Sequence, residues 1–232
     1  MDGLPRSLLS IALAATLVLG ACAGDADDDA TPEGTATTTT TVAAEKDATV
    51  ASFEVPAGSH PHDVWARADG TVWYTAQGSG ELGLLDPETG KVKEIALGAG
   101  SRPHGVIEGP DGAAWITDSG LNAMVRVDPK DEAVTRYPLP AGRPGVNLNT
   151  AAFAPDGTLW TSQSTSQEGW LQKVDADTGA VLAKYMVAAG IEDLAFDAAG
   201  FLWSVSEAGS QRWSNWPTYF PVIFRIDPTK LR

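Results

Sequence analysis

The sequence predicts an all-β fold, a β-propeller of four-stranded blades, and three observations support that prediction. An internal repeat occurs in four copies, which begin at His62, His104, Asn149 and Glu192 and are therefore 42, 45 and 43 residues apart. Every copy has a glycine eight residues after its first position and a tryptophan eleven residues after it. The apolar residues lie in short runs between turn residues, and no helical period explains their spacing.

Each copy is predicted to fold as four short antiparallel strands, which is typical of a propeller blade. The glycines mark a tight turn after the first strand, and they are Gly70, Gly112, Gly157 and Gly200. The second strand contains the tryptophan, and these residues are Trp73, Trp115, Trp160 and Trp203. The third strand ends at a turn-forming aspartate: Asp86, Asp128, Asp175 or Asp227. Fourth strands are predicted within residues 92–100, 134–142 and 183–190.

The last copy lacks a fourth strand, and residues 50–58 resemble the missing segment. We therefore expect residues 50–58 to pair with the last copy and close the ring, because closure removes exposed strand edges. An open array of hairpins is the alternative. Four blades are compatible with a small complete ring or with an incomplete version of a larger one. The last copy also contains an aromatic insertion at 207–221. We expect it either to cover one face of the ring or to fill the core.

The amino-terminal residues predict a lipoprotein with three segments. Residues 1–21 resemble a signal peptide whose apolar run, Ser7 to Leu19, is too short to span a bilayer. The run ends in Leu19-Gly20-Ala21-Cys22, which resembles the bacterial lipobox, so Cys22 is the predicted lipidation site. An ordinary signal peptide with a chance cysteine is the alternative. Residues 22–47 are acidic and threonine-rich and predict a disordered tether, and 48–232 form the propeller-like domain.

The charge of the chain excludes some partners. The formal net charge is −14 at pH 7, of which the tether contributes −6 and the domain −8. An acidic domain lacks the basic surface that phosphate binding requires, so no nucleic-acid partner is expected. The predicted partners are a membrane, through the lipid anchor, and a small-molecule or peptide ligand at the channel mouth. The predicted location is the extracytoplasmic side of the cell membrane.

The second copy resembles a known enzyme family. Its segments Arg102-Pro103-His104-Gly105-Val106, Gly109–Gly112, Trp115–Asp118 and Tyr137–Pro140 are similar to blades of virginiamycin B lyase, also called streptogramin lyase. The resemblance implies a Mg²⁺-dependent carbon–oxygen lyase that opens cyclic depsipeptide or lactone esters by elimination. It further implies that His104 is a catalytic acid or base and that Asp118 helps to hold the metal.

The hairpin geometry also predicts that His104 and Asp118 lie close together. If the chain folds back around residues 110–113, the two residues are nearly opposite, with Cβ atoms about 5 Å apart. For the Mg²⁺ that the resemblance implies, the candidate ligands are Asp118, His104 and Glu192. Mg²⁺ favours oxygen ligands and keeps several waters, so one or two carboxylates suffice. The first copy has His62 but Ala76 in place of the acid, so the second copy has the one complete pair.

The first positions of the copies are expected to cluster at one mouth of the central channel. This predicted channel ring comprises His62, Asn149, Glu192 and Gln163 together with His104, and His60 is a further candidate. One interpretation is that this ring binds a ligand or ion. The alternative is that its polar side chains only line a water-filled channel. Two functions therefore remain open: a lyase acting at His104 and Asp118, and a non-catalytic binding or scaffold propeller at the cell surface.

Lipidation can be tested with one substitution. Cys22→Ser removes the only thiol in the chain, so the protein should move from the membrane fraction into the medium. Immunoblots of the two fractions measure the distribution. Retention of the variant in the membrane fraction would contradict the lipid-anchor prediction.

Overall fold

The computed structural model describes residues 50–140, 147–165, 168–187, 190–206 and 222–231. These residues form fifteen strands in four separate antiparallel sheets, which confirms the all-β, propeller-like prediction. Each sheet corresponds to one copy of the repeat. Across the described ranges, no helix has the length and apolarity required to cross a bilayer.

The strands follow one another through the sheets in chain order. Sheet 1 contains β1 (Pro61–Ala66), β2 (Val72–Ala76), β3 (Glu81–Asp86) and β4 (Lys91–Ala96). Sheet 2 contains β5 (Pro103–Glu108), β6 (Ala114–Asp118), β7 (Ala123–Val127) and β8 (Val134–Pro138). Sheet 3 contains β9 (Asn147–Phe153), β10 (Leu159–Ser164), β11 (Gly169–Val174) and β12 (Val181–Met186). Sheet 4 contains β13 (Ile191–Phe196), β14 (Leu202–Ser206) and β15 (Val222–Ile226).

The turn after each first strand forms as the sequence predicts. In sheet 2, Gly112 has a φ of 75°, and its N–H donates to the Gly109 carbonyl at 2.9 Å. A residue with a Cβ would be strained at this φ, which explains the glycine. The Asp111 carboxylate accepts the N–H of Ala113 and so supports the same turn.

The repeated tryptophans fill the spaces between neighbouring sheets. Trp73 lies in one core cluster with Val106 of sheet 2, Trp115 in the next with Ala151 of sheet 3, and Trp160 in the third with Leu194 of sheet 4. These three indole side chains are buried. Truncating such a ring to alanine typically costs about 3–5 kcal/mol, so the tryptophans are major determinants of packing between sheets.

The first strands β1, β5, β9 and β13 lie side by side, and each has a β-bulge at the first positions of its repeat. In each bulge two residues of the first strand lie opposite one residue of the second strand. The opposed sets are His62–Asp63 with Thr75, His104–Gly105 with Thr117, Asn149–Thr150 with Ser162, and Glu192–Asp193 with Val205. The bulges therefore occur at four residues of the predicted channel ring, His62, His104, Asn149 and Glu192.

Hydroxyl groups join the bulges of adjacent sheets. The Thr117 hydroxyl accepts the N–H of Gly105 at 2.8 Å and donates to the Asn149 carbonyl of sheet 3 at 2.6 Å. Thr75 makes the equivalent contacts, with the Asp63 N–H at 3.0 Å and the His104 carbonyl of sheet 2 at 2.8 Å. We call this two-sided hydrogen bond the hydroxyl link. It satisfies an N–H that the bulge removes from strand pairing and fixes the next bulge at the same time.

The predicted ring closure is wrong. Residues 50–58 form no strand, and the described part of sheet 4 has three strands. The chain turns at Pro56, whose carbonyl accepts the Ser59 N–H, and it then joins sheet 1. There Ser59 donates its hydroxyl to Glu94 at 2.8 Å and accepts the Gly78 N–H at 2.8 Å. The four sheets thus form an open arc, and the insertion at 207–221 lies outside the described residues.

Candidate functional site

Two imidazole rings meet at the bulges of sheets 1 and 2. The ring centroids of His62 and His104 are 3.9 Å apart, and the ring planes are inclined by 43°. His62 is exposed, whereas His104 is half-buried. Both histidines lie in the β-bulges of their first strands, so the two rings meet where the strand ladders are interrupted.

A backbone carbonyl fixes the orientation of His104. Its Nδ1 lies 3.0 Å from the carbonyl oxygen of Asn149. Because a carbonyl can only accept a hydrogen bond, Nδ1 must have the proton. In the neutral ring the lone pair is then on Nε2, which is the nitrogen suited to accept a proton or a hydrogen bond.

Asn149 continues the polar contacts across the arc. Its side chain is buried, and its Nδ2 donates to the Ser164 hydroxyl at 3.0 Å and to the Ile191 carbonyl of sheet 4 at 3.1 Å. Sheets 1 to 4 are therefore connected at one end of their first strands by contacts between neighbouring residues. We call the group His62, His104 and Asn149 the histidine mouth.

The structure does not support the predicted pairing of His104 with Asp118. The bulge shifts the register by one residue, so Asp118 lies opposite Pro103 and Thr117 lies opposite the bulge that contains His104. Asp118 is completely buried. Its carboxylate accepts the Ser101 hydroxyl, the Arg102 N–H at 2.9 Å and the Leu121 N–H at 2.9 Å. It thus connects the segment before β5 to the turn after β6.

These contacts decide whether the proposed metal ligands fit Mg²⁺. Both carboxylate oxygens of Asp118 are occupied by hydrogen-bond donors, and the side chain has no exposure to the solvent that usually completes a magnesium shell. No three acidic, histidine or cysteine residues in the described ranges form a group that could hold a metal ion. Asp118, His104 and Glu192 therefore do not fit a magnesium site.

The two remaining residues of the predicted channel ring, Gln163 and Glu192, lie outside the histidine mouth. Gln163 is fully buried and bonds to Asn122, Gln172 and Lys184, so its amide lies between sheets 2 and 3 rather than in the channel ring. Glu192 is half-buried in the fourth bulge, and its carbonyl lies 3.5 Å from the hydroxyls of Thr150 and Ser204.

His60 lies outside the histidine mouth. The residue is exposed, and its ring packs over Gly78, where a Cβ would lie 2.5 Å from the ring Cδ2. Gly78 is in the turn between β2 and β3 of sheet 1. His60 therefore contacts a turn rather than the bulges.

Sequence reasoning missed the hydroxyl residues. Thr75, Thr117 and Ser162 lie thirteen residues after the first positions of their copies, two residues after the tryptophan. A hydroxyl at this point in three of four copies was the available signal. This repeated hydroxyl can be interpreted only when the bulge is known, because a regular strand ladder would leave no unpaired backbone N–H for the hydroxyl to accept.

An apolar groove lies on the four first strands, three of which contain the residues of the histidine mouth. Its volume is about 290 Å³, and Trp65, Ile107, Ala152 and Leu194 contribute to its lining. These residues are two or three positions after the bulge residues that begin each copy. The first strands therefore present polar side chains at their beginning and apolar side chains further along.

The comparisons with known proteins identify a family. The model of the "Virginiamycin B lyase family" matches residues 26–211. A solved streptogramin B lyase has a TM-score of 0.58 and 22% identity, over 74% of this chain and 53% of that one. A catalytically inactive virginiamycin B lyase from Staphylococcus aureus with quinupristin has a TM-score of 0.58 and 18% identity, over 73% and 53%.

A third solved structure has no stated activity. It is a Bacteroides caccae protein of unknown function, with a TM-score of 0.58 and 16% identity, over 78% of this chain and 61% of that chain. No protein of curated function matches the sequence significantly. The chain spans about half the length of the solved lyases it resembles.

Asp118 should behave as a structural residue. Asp118→Asn places an amide nitrogen or a weaker acceptor among three donors, so the free energy of unfolding should fall by about 1–3 kcal/mol. Urea denaturation measures the change. Asp131→Asn is the matched control, since Asp131 is exposed and accepts the single Ala133 N–H. Equal stability of the two variants would contradict the structural role.

Proposed function

Because the chain belongs to the virginiamycin B lyase family, we propose that its domain binds a cyclic peptide or depsipeptide at the histidine mouth. The observation behind this proposal is the contact of two imidazoles, one exposed and one half-buried, at one end of the first strands. A ligand with several peptide or ester groups offers both donors and acceptors to such a pair.

The histidine mouth provides a fixed group and an adaptable group. His104 is oriented by the Asn149 carbonyl, so its Nε2 is the acceptor for a ligand N–H. His62 is exposed and can donate to a ligand carbonyl. The groove at Trp65, Ile107, Ala152 and Leu194 offers apolar surface for the hydrophobic side chains of such a ring.

A second candidate is ester elimination, which the tautomer of His104 favours. In this reaction Nε2 takes the proton from the carbon beside the one that bears the ester oxygen. The electrons of that C–H bond form a C=C bond, the C–O bond breaks, and the carboxylate leaves. A positioned base typically contributes about 10²–10⁴-fold to such a rate. Binding is preferred because Asp118, to which the family resemblance gave a metal role, is held by three hydrogen bonds.

The proposed location of the domain is the extracytoplasmic face of the membrane, held by acylated Cys22. A diacylated residue holds a protein more firmly than one chain, which gives only marginal binding. The acidic tether would separate the histidine mouth from the lipid surface. This arrangement suits the capture of a ligand that arrives from outside the cell.

Titration with quinupristin tests the binding proposal. The full chain should show saturable binding by calorimetry, and His62→Ala and His104→Ala should each weaken the affinity about tenfold, as expected for the loss of one hydrogen bond of about 1.4 kcal/mol. His60→Ala should bind like the original protein.

Mass spectrometry of the same mixtures separates the two candidates. Recovery of intact quinupristin, with and without Mg²⁺, is expected for binding, whereas an unsaturated ring-opened product lost in His104→Ala would favour elimination. Absence of both binding and turnover, or affinity that neither mouth variant alters, would overturn the proposal.

A further inference from the structure

A cleft lies between sheets 2 and 3, at the opposite end of the strands from the histidine mouth. The turns β5–β6, β9–β10 and β11–β12 form it together with the side chains of Trp115 and Phe153, and its volume is about 210 Å³. We call it the indole cleft. The equivalent cleft between sheets 1 and 2, which contains Trp73, has a volume of about 40 Å³. The two junctions therefore differ in the space that they offer to a ligand.

One position of the repeat distinguishes the two clefts. Five residues after its first position, the first copy has Arg67, whose guanidinium lies over the Trp73 ring, 4.6 Å from the ring centroid. The second copy has Gly109 at this position, which contributes no side chain to the indole cleft. A Cβ on Gly109 would lie 2.6 Å from both Cδ1 and Nε1 of Trp115. The edge of the indole that bears the N–H thus lies against the β5–β6 turn.

The indole N–H of Trp115 is a buried donor that has no hydrogen-bond partner in the described part of the chain. Two other copies satisfy the equivalent N–H from within their own hairpins. The pairs are Trp160 with the Thr158 hydroxyl at 3.2 Å and Trp203 with the Asp197 carboxylate at 2.8 Å. The second copy has Ala113 and Gly109 at those two positions, and neither side chain can accept a hydrogen bond. Because an unpaired buried donor is costly, this N–H is a binding group for a ligand that brings an acceptor.

A carboxylate lies beside this N–H. Oδ1 of Asp111 and Nε1 of Trp115 are each 2.6 Å from the position that a Cβ would take on Gly109, yet no hydrogen bond joins them. Oδ1 accepts the Ala113 N–H and has a second lone pair. A hydroxyl can accept from an N–H and donate to a carboxylate at the same time. This donor and acceptor together favour a ligand that bears hydroxyl groups.

The charge of the indole cleft favours a neutral ligand over a cation. In sheet 1 the Arg67 guanidinium lies 3.9 Å from the Glu108 carboxylate of sheet 2. The indole cleft has Phe153 at the position of Glu108, and its Asp111 carboxylate is already paired with Arg126 at 2.7 Å. The aromatic ring therefore replaces one of the charges that hold the guanidinium in sheet 1, and the ion pair neutralises another.

We propose that the indole cleft binds one sugar ring of a carbohydrate, at a site separate from the histidine mouth. One hydroxyl accepts the Trp115 N–H and donates to Asp111. A second hydroxyl donates to the exposed Asp177 carboxylate on the sheet 3 side, while the C–H groups of the sugar pack on Phe153 and Pro110. The cleft is smaller than the pockets that hold drug-sized ligands, so it suits a single small ring.

The indole N–H signal of Trp115 in a nitrogen–proton NMR spectrum of the full chain tests this proposal. Trp115→Phe identifies the signal among those of the eight tryptophans. Titration with D-glucose, D-galactose and N-acetyl-D-glucosamine should shift it saturably with at least one sugar, at millimolar concentration as expected for so small a ligand. The Trp73 signal should shift little. Methylguanidinium, which imitates the Arg67 side chain, should leave the Trp115 signal in place.

Two variants show whether the shift arises in the cleft. Asp177→Ala should weaken the sugar affinity several-fold, whereas Asp131→Ala, the same change at an exposed residue of the β7–β8 turn, should not. Ala113→Ser supplies an internal acceptor, as Thr158 does in the third copy, so it should shift the Trp115 signal without sugar and weaken binding.

Three results would overturn the carbohydrate proposal. The first is a Trp115 signal that none of the three sugars shifts, since the cleft would then hold only water. The second is a response to methylguanidinium alone, which would indicate a cation site. The third is a sugar affinity that neither Asp177→Ala nor Ala113→Ser alters.

Discussion

The hydrogen bond from the Thr117 hydroxyl to the Asn149 carbonyl is the interaction on which the candidate site depends. The β-bulge removes the Gly105 N–H from strand pairing, and Thr117 accepts that N–H while it donates across the gap to sheet 3. The same carbonyl also accepts Nδ1–H of His104. The Asn149 carbonyl oxygen therefore takes part in the contact between sheets 2 and 3 and also orients the His104 imidazole.

Much of the fold follows from the sequence because its signals are local. The tryptophan, the turn glycine and the turn aspartate each act within a few residues, and the strand boundaries follow from them. The failed predictions required information that is not local. The bulge changes the register by one residue, so Asp118 lies opposite Pro103. After the turn at Pro56, Ser59 bonds to sheet 1, and residues 50–58 do not pair with sheet 4.

Asp118 illustrates why a motif alone does not identify a catalytic group. A carboxylate that is fully buried and accepts three hydrogen bonds can stabilise two loop segments, whereas a metal ligand needs free lone pairs. The histidines differ from Asp118 in burial, because His62 is exposed and His104 is half-buried. The first positions of the repeats could be identified from sequence, but their contacts depended on the bulges and could not.

The nitrogen NMR spectrum of the His104 ring shows whether the hydroxyl link orients this imidazole. Thr117→Val keeps the shape of the side chain but removes the hydroxyl, whereas Thr117→Ser keeps the hydroxyl. In Thr117→Val, but not in Thr117→Ser, we expect Nδ1–H of His104 to exchange faster with water and the tautomer of the ring to become mixed. Identical His104 spectra in both variants and the original protein would contradict the claim that the hydroxyl link positions the histidine mouth.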